Sequence, residues 1–304
     1  MKPTRGIILI MLAVTVFSMQ AALVKAADRI PAGEAVFFRS ACALPVIFFW
    51  LWLRGDLSQG LRTRNYRGHI MRSVAGTMAM GLGFAGLKFL PLPEVTALRF
   101  ITPILIVIFA AALLGERIRL VRLSAVLMGM VGVLIILWPR LGAGLAGAGQ
   151  REMTGVALVL GSASFAAFAQ IYIKRMASAE TTAAIVFYFS MTSLSLSLLS
   201  APFGWVWPNA TEWVMLVCLG AVGGLGQVLL TSSYRFADAS VLAPFTYVSM
   251  IWALLNGYFI FDEVPTVMML AGAALIILSG VAIVLRERQL GQGRAAMREA
   301  VQPE

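Results

Sequence analysis

The sequence predicts an all-α integral membrane fold of ten transmembrane helices arranged as two inverted five-helix repeats, and three observations carry that prediction. Hydrophobic residues make up 60% of the 304-residue chain and charged residues only 12%, whereas a soluble domain is roughly a quarter charged. Apolar runs of about 20 residues, long enough to cross a bilayer, recur along the chain with short connections. The chain also repeats itself: Lys88-Phe89 opens a stretch that closes on Gly115-Glu116, and Arg235-Phe236 opens one that closes on Asp262-Glu263, at an offset of 147. Gly76 meets Gly223 at the same offset and Lys25 meets Lys174 at 149. Five spans per copy is an odd number, so the second copy enters the membrane upside down. One sequence unit then supplies both an inward and an outward gate, the plan of a secondary transporter.

The first repeat occupies residues 6–138, with spans near 6–24, 35–53, 70–90, 95–114 and 120–138. Lys2 and Arg5 precede the first apolar run, whose length and whose polar face of Thr15, Ser18 and Lys25 mark a retained helix rather than a cleaved signal. The second span closes on Trp50 and Trp52, as an interfacial belt requires. Gly76, Gly81, Gly83 and Gly86 crowd the third, where small residues let helices approach closely. Pro103 sits inside the fourth, and Gly129 and Gly132 space the fifth. Residues 139–153 form a linker whose Leu141–Gln150 run is flexible in composition. The second repeat, 154–286, has spans near 154–173, 183–203, 213–234, 239–260 and 266–285, followed by a tail at 287–304. Its eighth span carries Gly220, Gly223, Gly224 and Gly226, matching the third. Two formal G-x-G-x-x-G strings, at 81–86 and 142–147, lack the βαβ context of a dinucleotide site.

The net charge of +10 does not indicate nucleic acid, because its placement is one-sided. With the N-terminus in the cytoplasm, inner segments hold 17 Lys and Arg residues, Arg72 counted among them, and outer segments hold 5. That asymmetry orients a multi-pass protein of the cell inner membrane with both termini cytoplasmic, its basic excess facing anionic lipid. Cys42 and Cys218 both fall inside spans and imply neither a disulfide nor a metal site.

The run Ala97–Phe100, Ile101-Thr102-Pro103, Gly115-Glu116-Arg117, Gly129 and Gly132 resembles the EamA module of the drug/metabolite transporter superfamily. Ala239–Leu285, with Pro244, Asp262-Glu263, Gly272 and Gly280, is similar to the same module, with Asp262 where the first copy has glycine. Phe37-Phe38-Arg39-Ser40 resembles the family's aromatic-Arg pattern. The likeness covers about residues 6–286. It implies a ten-helix carrier of small molecules working by alternating access without a cofactor, as a monomer or homodimer. Glu34–Leu57 looks most like a branch that includes riboflavin and S-adenosylmethionine uptake proteins. That branch implies uptake of a planar heterocyclic metabolite, riboflavin first and S-adenosylmethionine second. The wider superfamily leaves export of amino acids or aromatic drugs as the alternative, and a non-transporting scaffold as a distant one.

Several residues are candidates for substrate binding or gating. Arg39 and Arg99 are the basic residues set well inside spans, where a charge is costly. Each follows a carboxylate, Glu34 or Glu94, by five positions, too far round the helix to pair, so Glu34 with Arg99 or Glu94 with Arg39 are the expected crossings. Their repeat equivalents, Tyr188 and Thr246, carry no charge. An outer-interface anchor is the structural alternative for both arginines. Trp252 lies mid-span, away from the interface that indoles prefer, on a stripe with Ser249 and Asn256. Gln227, Thr231 and Tyr234 in the eighth span, Ser18 in the first and Ser162, Phe165 and Tyr172 in the sixth present further polar or aromatic faces. Together they outline a cavity for a planar solute, and hydrogen bonding between helices is the plainer role for each Ser or Thr. An enzyme is not indicated. His69 is the single histidine, no G-x-S-x-G occurs, and all 14 carboxylates lie in loops, tails or span ends,.

Overall fold

A computed structural model of the chain describes residues 3–53, 55, 60–63, 65–102, 105–106, 108–109, 127–128, 131–132, 134–135, 138, 149–177, 179–237, 242, 245–246, 248–275 and 277–278. The described elements are helical, with no strand among them: α1 (Pro3–Ala26), α2 (Ala32–Leu53), α3 (Tyr66–Gly86), α4 (Leu92–Arg99), α5 (Gln150–Met176), α6 (Thr182–Leu198), a 3₁₀ turn (Ala201–Phe203), α7 (Ala210–Phe236) and α8 (Val248–Phe261). Residues 267–275 are helical as well. Most of the fifth expected span, the end of the tenth, Pro103, Gly115-Glu116-Arg117, Gly129, Pro244, Gly280, the 141–148 run and the 287–304 tail lie outside the described residues.

Helix starts follow from local chemistry. The Asn65 side chain accepts from the Gly68 N–H and that of Thr181 from the Ala184 N–H, each satisfying a donor left free in the first turn,. Asn209 and Glu212 form a reciprocal capping box at the start of α7,. Residues 4–26, α2, α5 and α7 are long and apolar enough to cross a bilayer. Their outward faces carry exposed Ile8, Leu12, Met19, Phe48, Phe49, Val214 and Val217, as a lipid-facing surface should.

The packing is two-fold. α1 packs on α7, α3 on α5, α2 on α6 and α4 on α8; α2 also meets α7, α3 meets α6, α1 meets α8 and α4 meets α5. Exchanging α1–α4 with α5–α8 maps this set of pairs onto itself. Such an exchange is what inverted repeats produce, with α2 against α6 and α4 against α8 at the axis. Glycines permit the closest of these approaches. A methyl built on Gly76 would lie 2.8 Å from Cε2 of Phe189, and one on Gly223 would lie 2.7 Å from Nε of Arg39. Arg39 and Phe189 are thus the same knob in the two repeats, at an offset of 150 from one helix start to the other. The expected equivalence of Arg39 with Tyr188 is corrected by one position.

Candidate functional site

Following the chain direction, α1, α3 and α8 finish at one end of the bundle, where α2, α4, α5 and α7 begin; we call it the upper end. Interactions between the halves close it. The Lys25 ammonium meets Glu263 Oε1 at 2.5 Å and donates to the Leu90 carbonyl at 3.2 Å. Glu263 Oε2 accepts from the Leu92 N–H at 2.9 Å, at the start of α4. The Glu263 N–H turns back to the Gly257 carbonyl. That reversal runs through Asp262, whose φ of 54° is left-handed, a conformation that glycine takes freely and that Asp tolerates better than most residues. Its position is the one the first repeat fills with Gly115. Nearby, Glu34 Oε2 accepts from the Val206 N–H, Arg29 pairs with Glu212 at 3.5 Å, and Lys88 donates to the carbonyls of Asp28 and Ile30.

Below this layer, Arg99 and Trp252 fall at similar depth. Pro93 and Gly257 mark the contact of α4 with α8, a methyl on Gly257 reaching Pro93 at 3.1 Å. Arg99 lies six residues along α4 from that contact and Trp252 five along α8, about 9 and 7.5 Å. The Arg99 guanidinium carbon sits 3.8 Å from a methyl built on Gly83, beside Ser162 of α5, yet the residue is exposed. Its charged head therefore lies where α3 of the first half meets α5 of the second. Trp252, Ser249 and Asn256 are half-buried on α8; the indole N–H has no partner among the described residues, and the Ser249 hydroxyl donates to the Thr246 carbonyl at 2.7 Å.

Arg39 is placed differently. It is 1% exposed, donates through Nη2 to the Gly223 carbonyl at 3.0 Å, and holds its guanidinium 5.2 Å from the centre of the Phe189 ring. Neither expected crossing forms. Glu34 holds Val206, and Arg39 makes no ion pair among the described residues. Arg72 is the residue that sequence reasoning missed. Counted as an inner-loop cation, it is 2% exposed within α3, with its guanidinium 3.7 Å from the centre of Phe189. The signal available was its spacing from Gly76, one helical turn on, which clears the space the ring fills.

The other candidates have local partners. Ser18 donates to Val14 O at 3.0 Å in its own helix, Tyr234 donates to Gln170 Oε1 at 2.8 Å, and Tyr172 packs on Phe168 with ring centres 5.0 Å apart. Gln227 is buried at 6% exposure and Thr231 at 0%. At the lower end a crevice of about 510 Å³ opens between α1, α2, α6 and α7, with Arg5, Trp50, Arg235 and Phe236 in its walls. Among the described residues no group of His, Cys, Asp and Glu is set to hold a metal ion.

Comparison with known proteins agrees with this architecture. Residues 4–138 and 153–286 each match the EamA-like transporter family. The pseudopaline exporter CntI of Pseudomonas aeruginosa is 30% identical over 285 residues, 91% of this chain and 95% of that protein. A riboflavin transporter of Vibrio cholerae is 28% identical over 252 residues, 82% of each chain. An S-adenosylmethionine uptake transporter of Rickettsia bellii is 28% identical over 253 residues, 83% of this chain and 82% of the other. A solved crystal structure sharing 21% identity superposes with a TM-score of 0.72, covering 94% of this chain and 99% of that one.

Proposed function

The chain belongs to the EamA-like transporter family, a multi-pass membrane transporter rather than an enzyme, and on that premise we propose the solute, site and orientation of its transport cycle. The solute is a small polar metabolite with a planar heterocycle, bound between the halves and carried across the inner membrane by alternating access. Both termini face the cytoplasm, so the upper end faces the periplasm and the structure is closed on that side. The observation that carries the reading is Arg99: a cation at membrane depth, placed where α3 and α5 of the two halves meet, below the closed layer of Lys25 and Glu263. Trp252 supplies a ring face at similar depth, and Asn256 and Ser249 supply polar groups on the same helix. Gln227 and Arg39 line the buried side of the same interface.

Riboflavin and S-adenosylmethionine both fit a site that stacks a planar ring, and relatives that carry each are 28% identical to this chain. Export is the second reading, favoured by the pseudopaline exporter at 30% identity over 95% of its length. Proteoliposomes loaded or bathed with labelled riboflavin, S-adenosylmethionine, threonine and an aromatic cation test both directions. Saturable movement of riboflavin or S-adenosylmethionine supports the proposal; movement of threonine or the aromatic cation alone replaces it with the export reading. Silence toward the whole panel under every gradient removes the solute assignment.

A further inference from the structure

Arg39 and Arg72 sit on Phe189 with guanidinium carbons 5.2 and 3.7 Å from its centre, and both are at most 2% exposed. No carboxylate pairs with either among the described residues. Nε and Nη1 of both arginines are buried without an acceptor. The hydroxyls of Ser40, Ser73 and Ser190, each one residue on from Arg39, Arg72 and Phe189, are likewise buried and unbonded. Two like charges against one ring, with this many idle donors, form an arrangement a membrane interior does not hold for stability: an unpaired buried charge is among the most costly groups a fold can contain. Phe189 offsets part of that cost through its ring face, but it accepts none of the guanidinium hydrogen bonds.

We infer that Arg39, Arg72 and the neighbouring serine hydroxyls form a carboxylate-binding site, filled by the carboxylate of the transported solute in the occluded state. This rests on the solute-transport reading and, between its two leading solutes, favours the one that carries an acid group. The geometry supports one molecule engaging both this site and Arg99. Gly76, against which Phe189 and Arg72 lie, and Gly83, against which Arg99 lies, are seven residues apart on α3. Seven residues span about 10 Å and fall short of two full turns by only about 20°, so the two points share one face of the helix. A solute with a ring at Arg99 and Trp252 and a carboxylate about 10 Å away reaches both. S-adenosylmethionine has that form; riboflavin carries no carboxylate to place between the arginines. The site breaks the two-fold exactly where it must for one anion, since the exchange that turns Arg39 into Phe189 turns Arg72 into Leu219.

The test has a solute-free arm and a transport arm. Purified protein in nanodiscs is melted while acetate replaces chloride at constant ionic strength. The melting temperature of the unchanged protein is expected to rise saturably with acetate, and that of Arg39→Met and Arg72→Met to show no rise. In chloride alone both variants are expected to melt at or above the unchanged protein, because an apolar side chain of similar length replaces an uncompensated charge. No acetate-specific rise, or loss of several degrees by both variants in chloride, overturns the site by showing that the guanidiniums are structural. In proteoliposomes, S-adenosylmethionine is expected to outcompete decarboxylated S-adenosylmethionine by at least about tenfold, with the preference reduced in Arg72→Lys, which lacks the planar fork. Equal handling of the two overturns the carboxylate assignment while leaving transport intact. Silence toward both with the acetate response present upholds the anion site and refutes S-adenosylmethionine as the solute.

Discussion

Removing one charge from the Lys25–Glu263 pair should open the upper end of the bundle. Glu263→Gln keeps the size of the side chain and an acceptor for the Leu92 N–H but no longer pairs with the ammonium; Lys25→Met keeps the stem and removes the charge. The pair is 2.5 Å apart and each side chain is 17% exposed, so water screens it only in part. A hydrogen bond of this charged kind contributes about 1.5–3 kcal/mol. At about 1.4 kcal/mol per factor of ten, the open population should grow by roughly ten- to a hundredfold. The readout is the labelling rate of Asn256→Cys by a membrane-impermeant maleimide applied from the periplasmic side. Cys42, half-buried, and Cys218, exposed, are first replaced by alanine and serine. Each single variant should accelerate labelling by that factor, and the double variant should accelerate it no further, because the two changes break one interaction. Unchanged labelling, or two effects that simply add, refutes the idea that this pair holds the gate.

Reporters fused after Glu304 and within residues 54–67 should read as cytoplasmic and one in the 141–150 linker as periplasmic; a cytoplasmic linker contradicts the inverted arrangement. Trp252→Leu should weaken binding of a stacking solute by about 0.5–1.5 kcal/mol while Trp252→Phe keeps most of it. Riboflavin quenching of tryptophan emission should shrink more in Trp252→Phe than in Trp205→Phe, and equal loss assigns Trp252 to packing. Gly76→Ala and Gly223→Ala should each lower thermal stability by about 1–3 kcal/mol, since the added methyls would lie 2.8 Å from Phe189 and 2.5 Å from Gln20 Oε1; an unchanged melting temperature in either shows that α2 and α6 have room to shift.

The repeat was legible in the chain because its markers are chemically expensive or sterically special. Lys25 and Glu263 recur as charges at span ends, and Gly76 and Gly223 recur where a knob needs space. Sequence reasoning marked all four but did not join Lys25 to Glu263, since partners in different repeats share no local spacing. Arg99 and Trp252 stood out as residues at a depth their side chains avoid. Arg72 did not, because a cation a few residues into a span reads as an inner-interface charge unless the packing is known. The equivalence of Arg39 with Phe189 was hidden by the loops. Drift in the offset from 147 to 150 is trivial in a loop but rotates a helical position by about 100° per residue, enough to align the wrong side chain. The carboxylate crossings failed for a related reason: Glu34 finds a backbone N–H at Val206, a partner that no residue type announces.

Because α1 docks on α7 and α2 on α6 and α7, the principal neighbours of the first-made helices belong to the second half of the chain. About 210 residues separate the end of α1 from the end of α7, and at synthesis rates of about 5–20 residues per second that gap lasts about 10 to 40 seconds. Throughout it α1 stands in the membrane without α7, and until α6 is made the arginines of α2 and α3 stand without Phe189. Biogenesis of this protein is therefore expected to draw on something outside the chain, such as the lateral surface of the insertion machinery, to shelter the first half until the second arrives. A slowed codon tract or a truncation after the linker should mark the nascent chain for proteolysis even though every span made so far is intact.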